Sequence, residues 1–200
     1  MTTERTRLLE ILLATSFHSE KEPVFRLASG RMSQYYIDCR QALSFAEARA
    51  LLGALILERL NRIALESLDA VGGMELGAYP IAIAVSDAIY QKTGRTVRAF
   101  VVRKQPKTHG VGDLIAGQVK SGDRCLIVDD VITSGKSTAD AIAGACGAGL
   151  IVDRAIVILD RQEAGGRSMI ENLGVRCESL FTFADLISAA ETTTSKASES

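Results

Sequence analysis

The sequence is poor in the residues that build metal cages and disulfide frameworks. Four cysteines (Cys39, Cys125, Cys146, Cys177) and two histidines (His18, His109) are spread over 200 residues. No two cysteines form a C-x-x-C pair, and no Cys/His cluster has the spacing of a zinc site. Cys125 lies in the apolar run Cys125-Leu126-Ile127-Val128, where it reads as a small buried hydrophobe. The thiols are expected to be free, in a reducing, cytoplasmic setting. An excess of charge of one sign is also lacking: the formal net charge is -1. No overall field draws the chain to nucleic acid or to a membrane surface, so any bound anion must be held by a local cluster. No apolar run reaches membrane-spanning length. The first residues carry Glu4, Arg5, Arg7 and Glu10 among leucines, which suggests an amphipathic helix rather than a leader. No internal repeat is visible.

What is present is an ordinary globular composition, 47 % hydrophobic and 24 % charged, sufficient for one domain with its own core. The periodicity predicts a helix over 4–15 and a hairpin formed by 24–27 and 35–38 around Gly30. Ser44-Phe45-Ala46-Glu47 has the form of a capping box. It would open a helix reaching about residue 62, with Leu51, Leu52, Leu55, Ile56 and Leu60 facing the core. A strand over 68–71 is expected to end at Gly72-Gly73, before a helix over 79–91 with Pro80 in its first turn. Further strands are expected over 97–103, 124–129, 155–159 and 176–181, and a short return strand from Val119. Residues 104–117 read as a loop, 136–148 as a helix and 183–190 as a closing helix.

Apolar strands alternating with helices predict an α/β fold whose central, mostly parallel sheet is flanked by helices on both faces. Residues 1–40 fall outside the alternation and are expected to form a small helix/hairpin cap. Residues 1–190 read as a single domain, and 191–200 as a disordered tail.

The most informative stretch runs from Cys125 to Thr138. A buried strand ends in two adjacent carboxylates, Asp129 and Asp130. The turn Val131-Ile132-Thr133-Ser134-Gly135 follows, and then Lys136-Ser137-Thr138 open a helix. Ligands of open α/β sheets bind at the carboxyl ends of strands, and free N–H groups at a helix start hold phosphate. Thr133, Ser134, Ser137 and Thr138 add hydroxyl donors. Gly135-Lys136-Ser137 resembles the end of a Walker A loop, but that loop needs a glycine where Asp130 stands. A carboxylate there would repel a triphosphate. The two acids suit a sugar diol, which donates hydrogen bonds to them, or a metal bound directly or through water. The plain alternative is a strand–turn–helix with solvated acids.

The string Val128-Asp129-Asp130-Val131-Ile132-Thr133-Ser134-Gly135-Lys136-Ser137-Thr138 resembles the motif with which type I phosphoribosyltransferases bind phosphoribosyl pyrophosphate (PRPP). That resemblance implies the type I phosphoribosyltransferase fold. It also implies acids that meet the ribose hydroxyls, a turn over 131–137 that meets the 5′-phosphate, and Mg²⁺ held mainly by PRPP. Three other segments resemble orotate phosphoribosyltransferases: 102–110 their catalytic loop, 25–38 their N-terminal hairpin, and 159–163 the segment whose arginine meets the base carboxylate. The likeness spans about residues 17–186. It implies transfer of the ribose 5-phosphate of PRPP to orotate, with Thr133 and Arg161 at the base. It also implies a homodimer in which the catalytic loop reaches the neighbouring subunit's site. The chain departs from some of these enzymes in having Ala28 and Glu75-Leu76-Gly77 where lysines stand.

The residues carry this chemistry on their own terms. Arg103, Lys104, Lys107 and His109 put up to four cations in a short loop that could neutralise a departing pyrophosphate. Lys107 is the candidate for the largest share of that stabilisation. Otherwise the segment is a solvated basic loop. Arg161 offers the paired donors that grip a carboxylate, or else it makes a surface ion pair. Tyr35 and Tyr36 either stack on the base or belong to the core. Two alternatives stay open: a phosphoribosyltransferase for another base, and a PRPP-binding regulator without catalysis.

Overall fold

Leu126 and Val128 pack into one hydrophobic core, while Cys125 and Ile127, which alternate with them, pack into another. Side chains alternate across a strand, so a run apolar at every position must be covered on both faces. The rest of the chain is arranged to provide that cover.

The computed structural model describes residues 3–27, 30–105 and 114–198. The elements begin with α1 (Thr3–Ser16), β1 (Phe17–Ser19), β2 (Phe25–Arg26), β3 (Met32–Ser33) and β4 (Tyr35–Ile37). Three helices follow, α2 (Cys39–Leu43), α3 (Ala46–Arg59) and α4 (Arg62–Ser67). Next come β5 (Ala70–Met74), α5 (Ala78–Thr93), β6 (Arg98–Val102), β7 (Ile115–Ala116), β8 (Arg124–Ile132) and α6 (Lys136–Gly147). The chain closes with β9 (Ile151–Asp160), α7 (Gly166–Glu171), β10 (Arg176–Thr182) and α8 (Phe183–Ser198).

The main sheet has the order β10-β9-β8-β5-β6-β7. All neighbours are parallel except β6 and β7. One core lies against α1, α2, α3, α5 and α8, the other against α6 and α7. Leu52 and Ile56 of α3 are fully buried, and each such side chain contributes roughly 1.5–3 kcal/mol relative to exposure. From β5 the chain moves first to β6 on one side and then to β8 on the other. A crevice opens at the carboxyl ends where the winding reverses. Among the described residues, no helix is long and apolar enough to cross a membrane. All four cysteines are free, and only Cys146 is exposed.

Several local expectations are corrected. The first four strands form two small ladders instead of one hairpin: β2 pairs with β3, and β4 pairs with β1. Hydrogen bonds between Leu27 and Arg31 and from Gly30 to Leu27 close the turn tightly. This sets Arg26 opposite Met32 and leaves Tyr35–Ile37 to pair with Phe17–Ser19. The capping box does not form. Phe45 is the N-cap of α3 without a side-chain bond. Ser44 donates to the Gln41 carbonyl at 2.6 Å, and Glu47 is held by Arg7 at 2.7 Å. Gly72 and Gly73 lie inside β5 rather than after it. A side chain at either would strike Phe100 or the Val128 carbonyl, so only glycine admits the neighbouring chain so closely. The return strand is Ile115–Ala116, not one starting at Val119. The short helices α2, α4 and α7 carry too few turns for a readable periodicity. The closing helix runs to Ser198, through most of the stretch expected to be disordered. No glycine or proline interrupts it there.

Candidate active site

The carboxyl ends of β5, β6, β8 and β9 converge at the crevice, and each delivers part of the candidate site. β8 carries the acid pair and runs on through Val131 to Ile132, so the strand extends past the carboxylates instead of ending in them. Asp129 is 4 % exposed, and its Oδ2 accepts a 2.8 Å bond from Thr138 Oγ1. Its Oδ1 accepts from the Asp130 amide at 3.0 Å, and Asp130 Oδ1 in turn accepts from the Val131 amide at 2.8 Å. Burial, reinforced by the negative charge of Asp130, pushes the Asp129 carboxyl up to about 7. Asp130 stands beside Gly77, where a Cβ would lie 3.0 Å from its carboxylate. Gly77 is the N-cap of α5, so the positive end of that helix faces the acid.

The turn after β8 is shaped by close backbone packing. Gly135 is left-handed at φ 76° and caps α6. A side chain on Gly135 would meet the Gly166 carbonyl, and one on Gly166 would meet the Thr133 carbonyl. The two glycines therefore let the start of α7 lie directly against the turn after β8. Thr133, Ser134, Gly135, Lys136 and Ser137 line an open cleft of about 710 Å³. The first amides of α6 have no carbonyl within the helix to bond. Lys136 directs its ammonium along the helix to Asp140 at 2.9 Å, so what it offers the cleft is its backbone. Thr138 does not add its hydroxyl to the turn. It is buried, on the side of α6 that faces β8, and its hydroxyl is spent on Asp129.

Arg103 and Lys104, at the end of β6, line the same cleft. The Lys104 amide donates to Glu75 Oε1 at 3.0 Å, and the Glu75 amide donates to the Val102 carbonyl at 2.9 Å. Glu75 therefore secures the point from which the cationic loop departs. Gly72 and Gly73 are buried in β5, and Met74 at the end of that strand lines the cleft. Lys107 and His109 lie outside the described residues, as does Ala28.

Arg161 follows β9, and its amide donates to the Ile132 carbonyl at 3.0 Å. Its side chain does not line the cleft of the cations. It is 4 % exposed, with its guanidinium carbon 4.8 Å from the centre of the Phe183 ring. Nη2 contacts Glu163 at 3.2 Å, while Nε is buried without a hydrogen-bond partner. A surface ion pair does not describe it. Tyr35 stacks on Phe17 and meets Phe183 edge-on. Tyr36 lies between His18 and Phe25. Both tyrosine rings are thus engaged with other aromatics of the chain.

No family model matches the chain. An orotate phosphoribosyltransferase of Aquifex aeolicus (strain VF5) is 36 % identical over 184 residues, which is 92 % of this chain and 98 % of the relative. The chain belongs to the orotate phosphoribosyltransferase family. Another member of the family, from Leptospira biflexa serovar Patoc, is 40 % identical over 169 residues, or 84 % of this chain and 90 % of its own. The orotate phosphoribosyltransferase of Mycobacterium tuberculosis H37Rv, solved in complex with PRPP, is 32 % identical. It matches with a TM-score of 0.72 over 93 % of each chain. The likeness in fold extends over nearly the whole described chain, and the fold is that of the type I phosphoribosyltransferases.

Proposed function

We propose a division of labour for the family's reaction. Asp129 and Asp130 orient the ribose of PRPP, and the 131–137 turn holds its 5′-phosphate. Arg103, Lys104, Lys107 and His109 neutralise the departing pyrophosphate, while Arg161 and Thr133 hold orotate. As a member of the orotate phosphoribosyltransferase family, the chain transfers the ribose 5-phosphate group of PRPP to N1 of orotate. The products are orotidine 5′-phosphate and pyrophosphate.

The observation that carries the base assignment is the buried, unpartnered Nε of Arg161. A charged donor left without an acceptor in a closed site costs about 1–3 kcal/mol or more, and a ligand carboxylate would supply that acceptor. Orotate has one, whereas uracil and the purines do not. The pairing of bent turn and acids supports the sugar-phosphate assignment, because the two together match a ribose with a phosphate at one end.

Among the described residues, no cluster of three or more His, Cys, Asp or Glu could hold a metal ion alone. Two adjacent carboxylates in the last part of β8 suit a cation held mainly by the substrate. Mg²⁺ bound with PRPP would offset charge on the pyrophosphate. No side chain acts as a nucleophile. The bond at C1′ breaks with positive charge developing on the ribose, and anionic N1 of orotate attacks. The chain contributes position and charge stabilisation.

A homodimer in which the 103–109 segment serves the neighbouring site is supported by the family likeness. Tyr79, Ile83 and Tyr90, exposed along one face of α5, are further apolar surface suited to a partner. Mixing a Lys107→Ala chain with an Asp130→Asn chain tests the sharing. Random pairing restores about a quarter of native activity if sites are shared, because half the dimers regain one intact site. No recovery would refute it. The reaction itself is tested by following orotate absorbance on adding PRPP and Mg²⁺. Absorbance should fall with orotate, and no nucleotide should form from uracil or adenine. PRPP binding without pyrophosphate release from any base would instead identify a regulator.

A further inference from the structure

We infer that Phe183 is a positioning residue for Arg161, through which the N-terminal cap takes part in selecting the base. The inference rests on the reading of Arg161 as the group that meets the base carboxylate. To receive a carboxylate, a guanidinium must present two N–H groups in a fixed plane. Fixing it with hydrogen bonds would consume the donors it needs. Packing its face on an aromatic ring fixes the plane and leaves the edge free. Arg161 shows this arrangement: its guanidinium lies over Phe183 at 4.8 Å, a single bond ties Nη2 to Glu163, and Nε is unpartnered.

Phe183 is itself held in place. It is the first residue of α8, and Asp185 pins that turn by accepting from the Thr182 amide at 2.8 Å and the Thr182 hydroxyl at 3.0 Å. Arg5 of α1 reaches the same carboxylate at 3.1 Å and the Leu180 carbonyl. On the other side, Tyr35 of β4 meets the Phe183 ring edge-on at 5.5 Å and stacks on Phe17 of β1 at 5.7 Å. A ladder of rings, Phe17, Tyr35 and Phe183, therefore runs from the cap to the guanidinium. The cap strands, which supply no charged group to this arginine, set its plane through that ladder.

The test is steady-state kinetics with orotate and PRPP varied in turn, on Phe183→Leu, Phe183→Tyr, Arg161→Ala and the Phe183→Leu/Arg161→Ala double variant. Phe183→Leu should raise the KM for orotate about tenfold while leaving kcat and the KM for PRPP within about twofold. Phe183→Tyr, which keeps the ring, should restore the native constant. In the Arg161→Ala background Phe183→Leu should add nothing further. An unchanged KM for orotate in Phe183→Leu, with a raised one in Arg161→Ala, overturns the role of Phe183 and leaves that of Arg161 standing. Equal rises in both substrate constants make Phe183 merely structural and also overturn it. If Arg161→Ala itself leaves orotate unaffected, the reading of Arg161 falls first. Phe183→Met, apolar and of similar volume, gives the same contrast should the leucine variant not fold.

Discussion

Thr138 Oγ1 donates a 2.8 Å hydrogen bond to Oδ2 of Asp129, joining the third residue of α6 to the strand before it. This bond favours the charged form of a carboxyl that burial disfavours. It also ties the turn after β8 between two fixed points. Thr138→Val keeps the shape and removes the donor. The expected result is a loss of about 1–3 kcal/mol in urea denaturation, with weaker PRPP binding at neutral pH. Thr138→Ser should retain most of both.

The raised carboxyl of Asp129 has opposite consequences for stability and binding. Its folded value of about 7 lies above the ordinary 3.8, so the folded state holds a proton that the unfolded chain has lost. Its contribution to stability is therefore greatest below pH 3.8 and is lost as pH rises to about 7. Ribose hydroxyls, by contrast, need the ionised acceptor, so PRPP affinity should fall as pH drops below 7. Denaturation and PRPP titration across this range check both slopes, and Asp129→Asn should flatten them.

Gly166 lies against the turn after β8 although it is the first residue of α7. A methyl group there would strike the Thr133 carbonyl and come within 2.9 Å of Ile132 Cγ1. Gly166→Ala should cost about 1–3 kcal/mol of stability and weaken PRPP binding measured by calorimetry. The substitution touches no substrate, so unchanged PRPP affinity would show that the turn does not depend on this contact.

Lys107 carries the greatest expected share of pyrophosphate stabilisation, by resemblance of its loop. Lys107→Ala should lower kcat by about 10²–10³-fold with little change in the KM for orotate. Near-native turnover would remove Lys107 from the chemistry.

The layered fold was legible because β8 and β9 are apolar at consecutive positions, which only a sheet covered on both faces explains. The acid pair and its turn were singled out because two carboxylates beside a hydroxyl-rich turn have little structural use, and their sugar-phosphate role is what the proposal puts to the test. The cap was not: which short strand pairs with which depends on contacts such as Phe17 with Tyr35, which no spacing encodes. Thr138 was misread as a phosphate donor, because a hydroxyl in a first helical turn reads the same whether it faces the ligand or the strand behind it. Phe183 and Gly166 left no local signal at all. Their roles arise from residues brought together across the sheet.

The most direct measurement is calorimetric titration of Mg²⁺–PRPP into the native chain and into Asp130→Asn. Native binding, with affinity at least about tenfold weaker in the variant, is the expected result for a carboxylate that accepts ribose hydroxyls. Equal affinity in the two chains would contradict the assignment of the acid pair and its turn as the sugar-phosphate grip.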